Sequence, residues 1–205
     1  MTLIVITPAE ILPDEVRLWE ALFLTGLQRL HVRKPHASIS QLSEMLASLP
    51  SEFHSRLILH QHHKLAEDFK LGGIHFKSFN QSEELPLNDV DLSRSRSCHS
   101  FQEVLDNYAS HDYVFLSPVF DSISKNNYAS AFAADEIRAF FLDHPQINNC
   151  IALGGISKSH IQVCKELGFA DCALLGAIWQ GDAINPDIVS ERFRNIQSTH
   201  NLTSL

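Results

Sequence analysis

Short runs of apolar residues alternate along the chain with longer segments in which apolar residues recur every three or four positions. Unbroken apolar runs are typical of strands buried on both faces of a parallel sheet, and the longer segments are typical of amphipathic helices. Their regular alternation predicts β-α units around a parallel sheet. The predicted strands are residues 3–6, 30–32, 57–59, 74–76, 92–97, 113–116, 151–153 and 173–175.

Capping residues mark where several predicted helices begin and end. Ser100 followed by Glu103 is a capping-box pattern at the start of one helix. Gly72 and Gly73 are predicted to cap the third helix, and Gly168 is predicted to cap a later one. The predicted helices are residues 14–24, 40–49, 64–71, 101–109, 135–142, 159–167 and 188–196.

The number of units favours a closed barrel over an open sheet. An open doubly wound sheet has fewer strands and usually a glycine-rich first turn, whereas the first turn here reads ITPAEILP. The length of 205 residues lies at the small end of the range of roughly 200 to over 400 residues found for (β/α)8 barrels. At about 150 residues per domain it also favours one domain over two. We therefore expect residues 1–205 to form a single α/β domain, a (β/α)8 TIM barrel.

Charge and cysteine content exclude several classes of function. Lys and Arg total 16 against 24 Asp and Glu, and a net charge of -8 creates no field that attracts nucleic acid or anionic lipid. No segment approaches the roughly 20 apolar residues of a membrane span. The four cysteines form no C-x-x-C pair, and the amino-terminal segment lacks the basic region of a signal peptide. We expect a cytoplasmic protein that binds neither nucleic acid nor membrane; self-association is left open.

The residues that follow the predicted strands indicate a site for anions. Active sites of such barrels lie at the carboxyl ends of the strands. The segments there are HVRKPH, HQHH, HFKS, SCHS, SPVFDSISK, GGISKS and GAIW, which carry basic and hydroxyl side chains but no carboxylate other than Asp121. The cations are Arg33, Lys34, Lys77 and Lys125. Positive charge without carboxylates predicts an anionic ligand.

Glycines after the last two strands point to a phosphate in particular. Gly154 and Gly155 follow the seventh strand, and Gly176 follows the eighth. Barrels commonly bind a phosphate at these two strand ends, through backbone N–H groups that glycine lets a ligand approach. A tight turn without a ligand is the alternative for the glycine pair alone, and the matching Gly176 favours phosphate.

The histidines at 60, 62 and 63 raise the question of a transition-metal site, since imidazole is a good ligand for such ions. In a loop these side chains diverge, and no carboxylate or thiolate completes the set. We therefore predict no metal site from this cluster. His75 lies on a strand and is interpreted as a hydrogen-bonded core residue.

Five segments, taken in order, resemble the thiamine phosphate synthases and their thiazole tautomerase relatives. LHVRKP is similar to the family's Q-x-R-x-K, and LILHQHHKLAEDFKLGGIHF to its I-I-N-D-x-x-x-L-A-x-x-x-x-A-D-G-V-H-L stretch. SRSCHSFQEV resembles G-x-S-x-H-x-x-x-E, DYVFLSPVFDSISK resembles D-Y-x-x-x-G-P-x-F-x-T-x-T-K, and CIALGGIS resembles x-x-A-I-G-G-I. The resemblance implies a small barrel that joins hydroxymethylpyrimidine diphosphate to thiazole phosphate, with loss of diphosphate.

The resemblance also implies roles for residues around the leaving diphosphate. Arg33 would contact the diphosphate, and Ser97 would contact the pyrimidine or the leaving group. Ser122 and Ser124 stand in place of two threonines that bind diphosphate, and Lys125 matches the family's lysine. The implied ligands are therefore a phosphorylated pyrimidine and a phosphorylated thiazole.

The thiazole phosphate would be bound by the backbone N–H groups of Gly154 and Gly155. Gly176 stands where a serine usually assists them. His31 and His60 replace a glutamine and an asparagine of the family, and we expect both to contact substrate.

The family's magnesium ligands are missing. The resemblance implies Mg²⁺ bound by two aspartates, but Gln61 and Asn80 occupy those positions, and neutral amides would bind this hard cation poorly. The lysine of Q-x-R-x-K falls on Pro35, with Lys34 beside it.

Three hypotheses remain open after these departures. The chain is a synthase that neutralises diphosphate with Arg33, Lys34, Lys125 and a protonated His60 or His31. Alternatively, it binds a phosphate ester and performs other chemistry such as tautomerisation, although the tautomerase histidine is replaced by Pro118. In the third hypothesis it keeps the barrel and the phosphate-ester site without turnover.

Overall fold

Eight parallel strands close into a barrel in which each strand pairs with the next and the eighth pairs with the first. The structure is a computed structural model that describes residues 1–77, 91–121, 131–181 and 183–201. The predicted (β/α)8 architecture is confirmed. The strands are β1 (Leu3–Ile6), β2 (Arg29–Val32), β3 (Leu57–Leu59), β4 (Gly73–Phe76), β5 (Ser93–Cys98), β6 (Tyr113–Leu116), β7 (Cys150–Leu153) and β8 (Asp171–Leu174).

Helices connect the strands around the outside of the barrel. They are α1 (Glu15–Leu24), α2 (Ile39–Ser48), α3 (Lys64–Asp68), α4 (Phe101–Asn107), α5 (Ala134–Asp143), α6 (His160–Leu167), α7 (Gly176–Trp179) and α8 (Pro186–Asn201). A 3-10 helix, Ser51–Arg56, precedes β3. The sequence pattern did not predict this 3-10 helix or α7, because both are too short to show periodicity. None of the helices in the described ranges has the length and apolar character needed to cross a membrane.

The barrel interior is apolar on one side and polar on the other. Ile4, Ile6, Phe115, Ile151 and Ala173 form an apolar cluster contributed by β1, β6, β7 and β8. Strands β2, β4 and β5, with the residue that follows β3, instead place histidine and serine side chains inside, and the most buried of these are His31, His60, His75 and Ser95. The larger apolar core lies between the barrel and the surrounding helices.

Two glycine caps predicted from the sequence are wrong. Helix α3 ends at Asp68, and the left-handed residue that follows it is Lys70, with φ 52°. A Cβ on Gly72 would lie 2.1 Å from the Ser55 carbonyl oxygen, and one on Gly73 would lie 2.2 Å from the carbonyl oxygen of a β5 residue. These glycines let backbone segments approach around β4, a tertiary requirement that a local capping pattern does not reveal.

Two other caps are as predicted. The Ser100 hydroxyl accepts a hydrogen bond from the Glu103 backbone N–H at 3.2 Å and so caps α4. Gly168 ends α6 with φ 104°. Both signals are local, so the sequence alone was sufficient to place them.

Lys34 forms a fully buried ion pair behind the barrel mouth. Its ammonium lies 2.7 Å from a Glu15 carboxylate oxygen and donates to the backbone carbonyls of Pro8 and Glu10 at 2.8 Å and 2.7 Å. Glu15 also accepts from the Trp19 indole N–H at 3.1 Å. Burial lowers the pKa of Lys34, while the Glu15 carboxylate opposes the shift. The predicted contact of Lys34 with substrate is wrong, because its buried ammonium binds the β1–α1 loop and Glu15 instead.

We predict that Lys34→Ala lowers the free energy of unfolding by about 3–5 kcal/mol, because it leaves the Glu15 carboxylate buried without its counter-ion. Arg138→Ala is the matched control, since Arg138 pairs with Asp135 at 2.8 Å on the exposed surface of α5. An exposed pair contributes at most about 1 kcal/mol. Chemical denaturation measures both values, and equal losses would contradict a structural role for Lys34.

Candidate functional site

Three imidazole rings meet inside the polar half of the barrel. Nδ1 of His31 lies 3.0 Å from Nε2 of His60, and the rings of His60 and His75 have centroids 4.1 Å apart. The side chains come from β2, the end of β3 and β4, so neighbouring strands direct them to one point. His31 and His75 are 0% and 1% exposed, and His60 is 6% exposed. We call these three residues the histidine cluster.

Hydroxyl groups hold the rings of the histidine cluster in place. The Tyr113 hydroxyl lies 2.8 Å from Nε2 of His31. Ser95 and Ser97 lie 2.9 Å and 2.8 Å from Nδ1 and Nε2 of His75. Burial raises the pKa of Tyr113 to about 12, so its hydroxyl keeps its proton at neutral pH. Inward-facing serines of β5 thus explain why this strand lacks the apolar pattern of the others.

The histidines of the cluster are uncharged at neutral pH. Burial is the largest cause of the lowered pKa of each one, and it brings the pKa of His75 to about 3. Positive charge adds to the shift, from Arg29 at His31 and from Arg33 at His60. The hypothesis that a protonated His60 or His31 neutralises diphosphate is therefore not supported.

Arg33 stands at the carboxyl end of β2, one residue beyond the strand, and is partly buried. Its backbone N–H donates to the Thr7 hydroxyl at 2.9 Å, and that hydroxyl in turn donates to the Arg33 carbonyl oxygen at 3.3 Å. Thr7 is fully buried just after β1. This pair of bonds fixes the strand end, so the guanidinium is carried by a rigid backbone beside His60.

The glycine pair after β7 forms a turn that no other residue could form without rearrangement. Gly154 has φ 97° and Gly155 has φ 66°. A Cβ on Gly154 would lie 2.8 Å from the Cα of Pro118, and one on Gly155 would lie 2.3 Å from the Asp121 carbonyl oxygen. The turn is thus packed against the segment that follows β6, at the barrel end that also carries Arg33.

Gly176 opens helix α7 directly after β8, the strand that pairs with β7. Its position needs no glycine, because a Cβ there would meet only the Gln180 side chain, at 3.6 Å. The strand pairing brings Gly176 to the same side of the barrel end as the Gly154–Gly155 turn. Backbone N–H groups in the first turn of a helix lack intrahelical partners.

The structure brings part of the predicted site together. His60, His31 and Ser97 form one continuous group with His75, and the positive charge of Arg33 acts on His60. The glycine turn follows β7 at the same barrel end. Ser122, Ser124, Lys125 and Asn80 lie outside the described residues. His75 was interpreted from the sequence as a hydrogen-bonded core residue, and the structure shows it buried with two hydroxyl partners.

Sequence reasoning missed that His75, Ser95 and Tyr113 belong to the same group as His31. The alternation of side chains along each strand could have revealed this, because every second residue of a barrel strand faces the interior. In β2 the apolar residues Leu30 and Val32 face outward, which directs His31 inward. The same alternation directs Ser95 and Ser97 inward in β5. The chain positions alone do not say that these side chains meet at one height in the barrel.

The described residues do not fit a magnesium site. Gln61, at one of the two implied ligand positions, offers a neutral amide whose nitrogen is buried with no hydrogen-bond partner in the described part of the chain. Across the described ranges, the histidine cluster is the group of three His, Cys, Asp or Glu side chains whose ligand atoms lie close enough to share an ion. Its nitrogen atoms are poor ligands for Mg²⁺, which prefers oxygen.

The closed barrel, with polar side chains gathered at its carboxyl end, defines a (β/α)8 protein of the kind that binds small ligands at that end. The chain belongs to the thiamine monophosphate synthase family, whose model matches residues 3–178. The sequence-based resemblance to that superfamily is thereby confirmed.

Individual relatives agree with this membership. The chain is similar to the thiamine-phosphate synthase of Limosilactobacillus fermentum, with 27% identity over 184 residues that cover 84% of each chain. It is 26% identical to that of Latilactobacillus sakei over 71% of this chain and 66% of the relative. The crystal structure of thiamine phosphate pyrophosphorylase from Bacteroides thetaiotaomicron superposes with a TM-score of 0.83 at 32% identity, covering 98% of both chains. The enzyme of that name from Pyrococcus furiosus, at 18% identity and a TM-score of 0.72 over 97% of this chain and 96% of its own, shares the fold.

We predict that the histidine cluster makes the protein acid-sensitive. A histidine whose pKa is lowered on folding binds a proton more readily in the unfolded chain than in the folded one. The free energy of unfolding is therefore highest above about pH 6.5, where the ring is neutral in both states, and falls at lower pH. For His75 the fall continues as the pH decreases from the ordinary pKa towards about 3. The expected slope is about 1.4 kcal/mol per pH unit for each such histidine.

Denaturant unfolding of the protein in metal-free buffer, measured between pH 7 and pH 4, checks this prediction. The variant His75→Asn should show a shallower fall of unfolding free energy with decreasing pH, whatever its stability at pH 7. His36→Asn, at an exposed residue, is the control and should keep the slope of the unaltered chain. Parallel curves for His75→Asn and the unaltered chain would contradict it.

We predict that Gly155→Ala destabilises the protein by about 2–4 kcal/mol, from the left-handed backbone conformation and from contact with the segment after β6. Gly176→Ala should change the free energy of unfolding by no more than about 1 kcal/mol, since its Cβ has space. Thermal or denaturant unfolding of both variants measures the difference. Equal effects would show that the packing of the Gly154–Gly155 turn is not the source.

Proposed function

We propose that the chain is a thiamine phosphate synthase. It joins the methylene carbon of hydroxymethylpyrimidine diphosphate to the ring nitrogen of thiazole phosphate and releases diphosphate. Membership of the family supports the reaction class. The observation that carries the proposal is the shared position of Arg33 and the Gly154–Gly155 turn at one barrel end, which suits one substrate that carries a diphosphate and another that carries a phosphate.

Arg33 would bind the departing diphosphate. Cleavage of the carbon–oxygen bond leaves the electron pair on diphosphate and a cation on the pyrimidine methylene carbon, which the thiazole nitrogen then attacks. The main demand on the protein is to stabilise the charge of the leaving group and to hold two reactants in line. A guanidinium on a backbone fixed by Thr7 meets that demand without reorganisation.

Gln61 supports the same assignment. Its amide nitrogen is buried with no partner in the described ranges, beside His60 at the end of β3. A buried donor of this kind is costly unless a ligand accepts its hydrogen bond. An oxygen of the leaving diphosphate would do so. Lys125 would supply a further cation on the strength of the family resemblance alone.

The glycine turn would hold the thiazole phosphate. The positive φ angles of Gly154 and Gly155 turn the backbone sharply after β7. The segment after β6 occupies the space where their side chains would lie, so the phosphate would be bound by the backbone N–H groups of the turn itself. Gly176, at the end of the neighbouring strand, adds a backbone N–H from the first turn of α7. Hydrogen bonds from backbone groups bind phosphate without adding charge, which suits a substrate that keeps its phosphate throughout the reaction.

His60 and Ser97 would orient the pyrimidine, with His60 as a neutral ring and not as a cation. His60 is the most exposed histidine of the cluster, and Ser97 is more exposed than Ser95, the other serine that contacts His75. Neutral imidazole and hydroxyl groups both donate and accept hydrogen bonds, as an aminopyrimidine ring requires.

We predict that purified protein forms thiamine phosphate and diphosphate from the two substrates, and that Arg33→Ala lowers kcat/KM by about 100-fold or more. Arg33→Lys should retain part of the activity, since it keeps the charge but loses the planar donor pair. Arg138→Ala, at an exposed residue of α5, is the matched control. Product formation is followed by chromatography, with and without added divalent metal.

Absence of turnover under every metal condition would contradict the synthase proposal. A calorimetric titration with thiazole phosphate then separates the remaining hypotheses. Binding that is lost in Gly155→Ala, in a chain without turnover, would favour a phosphate-ester binding protein.

A further inference from the structure

The histidine cluster has the composition of a transition-metal site. Its three ring nitrogens lie within 4.8 Å of one another in a buried position, and none of the three residues lies in a flexible surface loop. A tetrahedral Zn²⁺ ion with nitrogen ligands at about 2.0–2.1 Å separates those nitrogens by roughly 3.3 Å. The 3.0 Å between Nδ1 of His31 and Nε2 of His60 is already close to that separation.

We propose that the histidine cluster binds one divalent transition-metal ion of the Zn²⁺ type, with a fourth position open towards the carboxyl end of the barrel. His31 binds through Nδ1 and His60 through Nε2. His75 turns one ring nitrogen to the same point. This site goes beyond the proposed function and stands whether or not the chain makes thiamine phosphate.

The outer partners of the rings fit metal coordination. A histidine that binds a metal usually donates its second N–H to an oxygen acceptor, which fixes the tautomer and the orientation of the ring. Nε2 of His31 has the Tyr113 hydroxyl at 2.8 Å for this purpose. Each nitrogen of His75 faces a serine hydroxyl, so the one that does not bind the metal keeps its partner.

The protonation state of the cluster also suits a metal. Only unprotonated imidazole nitrogen is a ligand, and metal binding to a charged histidine would first have to expel its proton. Burial lowers the pKa of all three histidines, so the ligands are ready at neutral pH. In each neutral ring one nitrogen carries hydrogen and the other carries the free electron pair, so each ring can bind a metal through one nitrogen.

Nearby charge determines what occupies the fourth position. Arg29 and Arg33 act on His31 and His60 with positive charge, and no carboxylate in the described ranges joins the three rings. A dication beside two guanidiniums needs an anionic ligand for balance. Hydroxide or an oxygen of a phosphate group supplies it, and Arg33 stands on the side from which such an anion would enter.

The ligand type selects the metal. Neutral nitrogen ligands favour Zn²⁺, Co²⁺, Ni²⁺ and Cu²⁺ over Mg²⁺ and Ca²⁺, which require oxygen. We therefore expect the cluster to bind no Mg²⁺ even at concentrations far above the Zn²⁺ concentration that saturates it.

The test is metal binding by the full chain after treatment with a chelator. Equilibrium dialysis with Zn²⁺ should give one ion per chain, and titration with Co²⁺ should produce the visible absorption of a four-coordinate nitrogen site. Saturating Zn²⁺, at about 100 times its Kd, should raise Tm by about 5–10 °C. Less than one bound ion per chain in the unaltered protein would overturn the proposal without recourse to any variant.

Variants locate the ion. His60→Asn and His75→Asn should each weaken Co²⁺ binding by roughly 100-fold or more, beyond the about 10–100-fold loss expected when an outer partner is removed in Tyr113→Phe. His62→Asn is the matched control, because His62 lies outside the cluster with Nε2 3.1 Å from the Ala37 carbonyl oxygen, and asparagine tolerates its φ of 54°. Equal binding by His60→Asn and His62→Asn would overturn the assignment.

Inorganic phosphate tests the open position. Adding it to the Co²⁺ form should shift the visible spectrum, and Arg33→Ala should weaken that response while leaving one Co²⁺ bound. A spectrum that phosphate does not change would overturn the open fourth position.

Discussion

Water is nearly excluded from the interior of an eight-stranded barrel, so every polar group placed there has to find its partner among the other strands. In this protein three strands, β2, β4 and β5, and His60 directly after β3 place polar side chains inside. The Tyr113 hydroxyl, the serines of β5 and the three imidazoles satisfy one another across the interior. The neutrality of the rings, their orientation and the acid sensitivity that we predict for the fold all follow from this constraint.

The same exclusion of water separates two kinds of cation in the molecule. Lys34 is buried with three close oxygen partners, one of which belongs to its counter-ion Glu15, so its charge is neutralised within the fold. Arg33, the preceding residue, is only partly buried. Two adjacent basic residues of one motif therefore differ in environment: Lys34 stabilises the fold, and Arg33 is the one proposed to bind a ligand.

Local patterns predicted the elements whose causes are local. Strands β1 and β6 have the predicted bounds, because each is an unbroken apolar run buried on both faces. The Ser100 cap was predictable for the same reason. Gly72 and Gly73 were misinterpreted as caps, because what requires glycine there is the approach of Ser55 and the β5 backbone, which are distant along the chain or in another strand.

The candidate site was predictable only in part. Its location at the carboxyl ends of the strands follows from the fold class, and Arg33 follows from its place after β2. The histidine cluster does not follow from spacing, since residues 31, 60 and 75 meet only through the stagger of three strands around a closed barrel. The burial of Lys34 depends on its ion pair with Glu15 of α1, and the sequence around β2 gives no indication of that pairing.

The division of the barrel interior into an apolar and a polar half has a consequence for how this protein can change. In the apolar half, aliphatic and aromatic side chains of β1, β6, β7 and β8 pack together inside the barrel. Substitutions among the hydrogen-bonding residues of the opposite half change the chemical groups inside the barrel and leave this apolar packing unchanged. A single barrel can thus keep its shape while the polar residues that line its other half change.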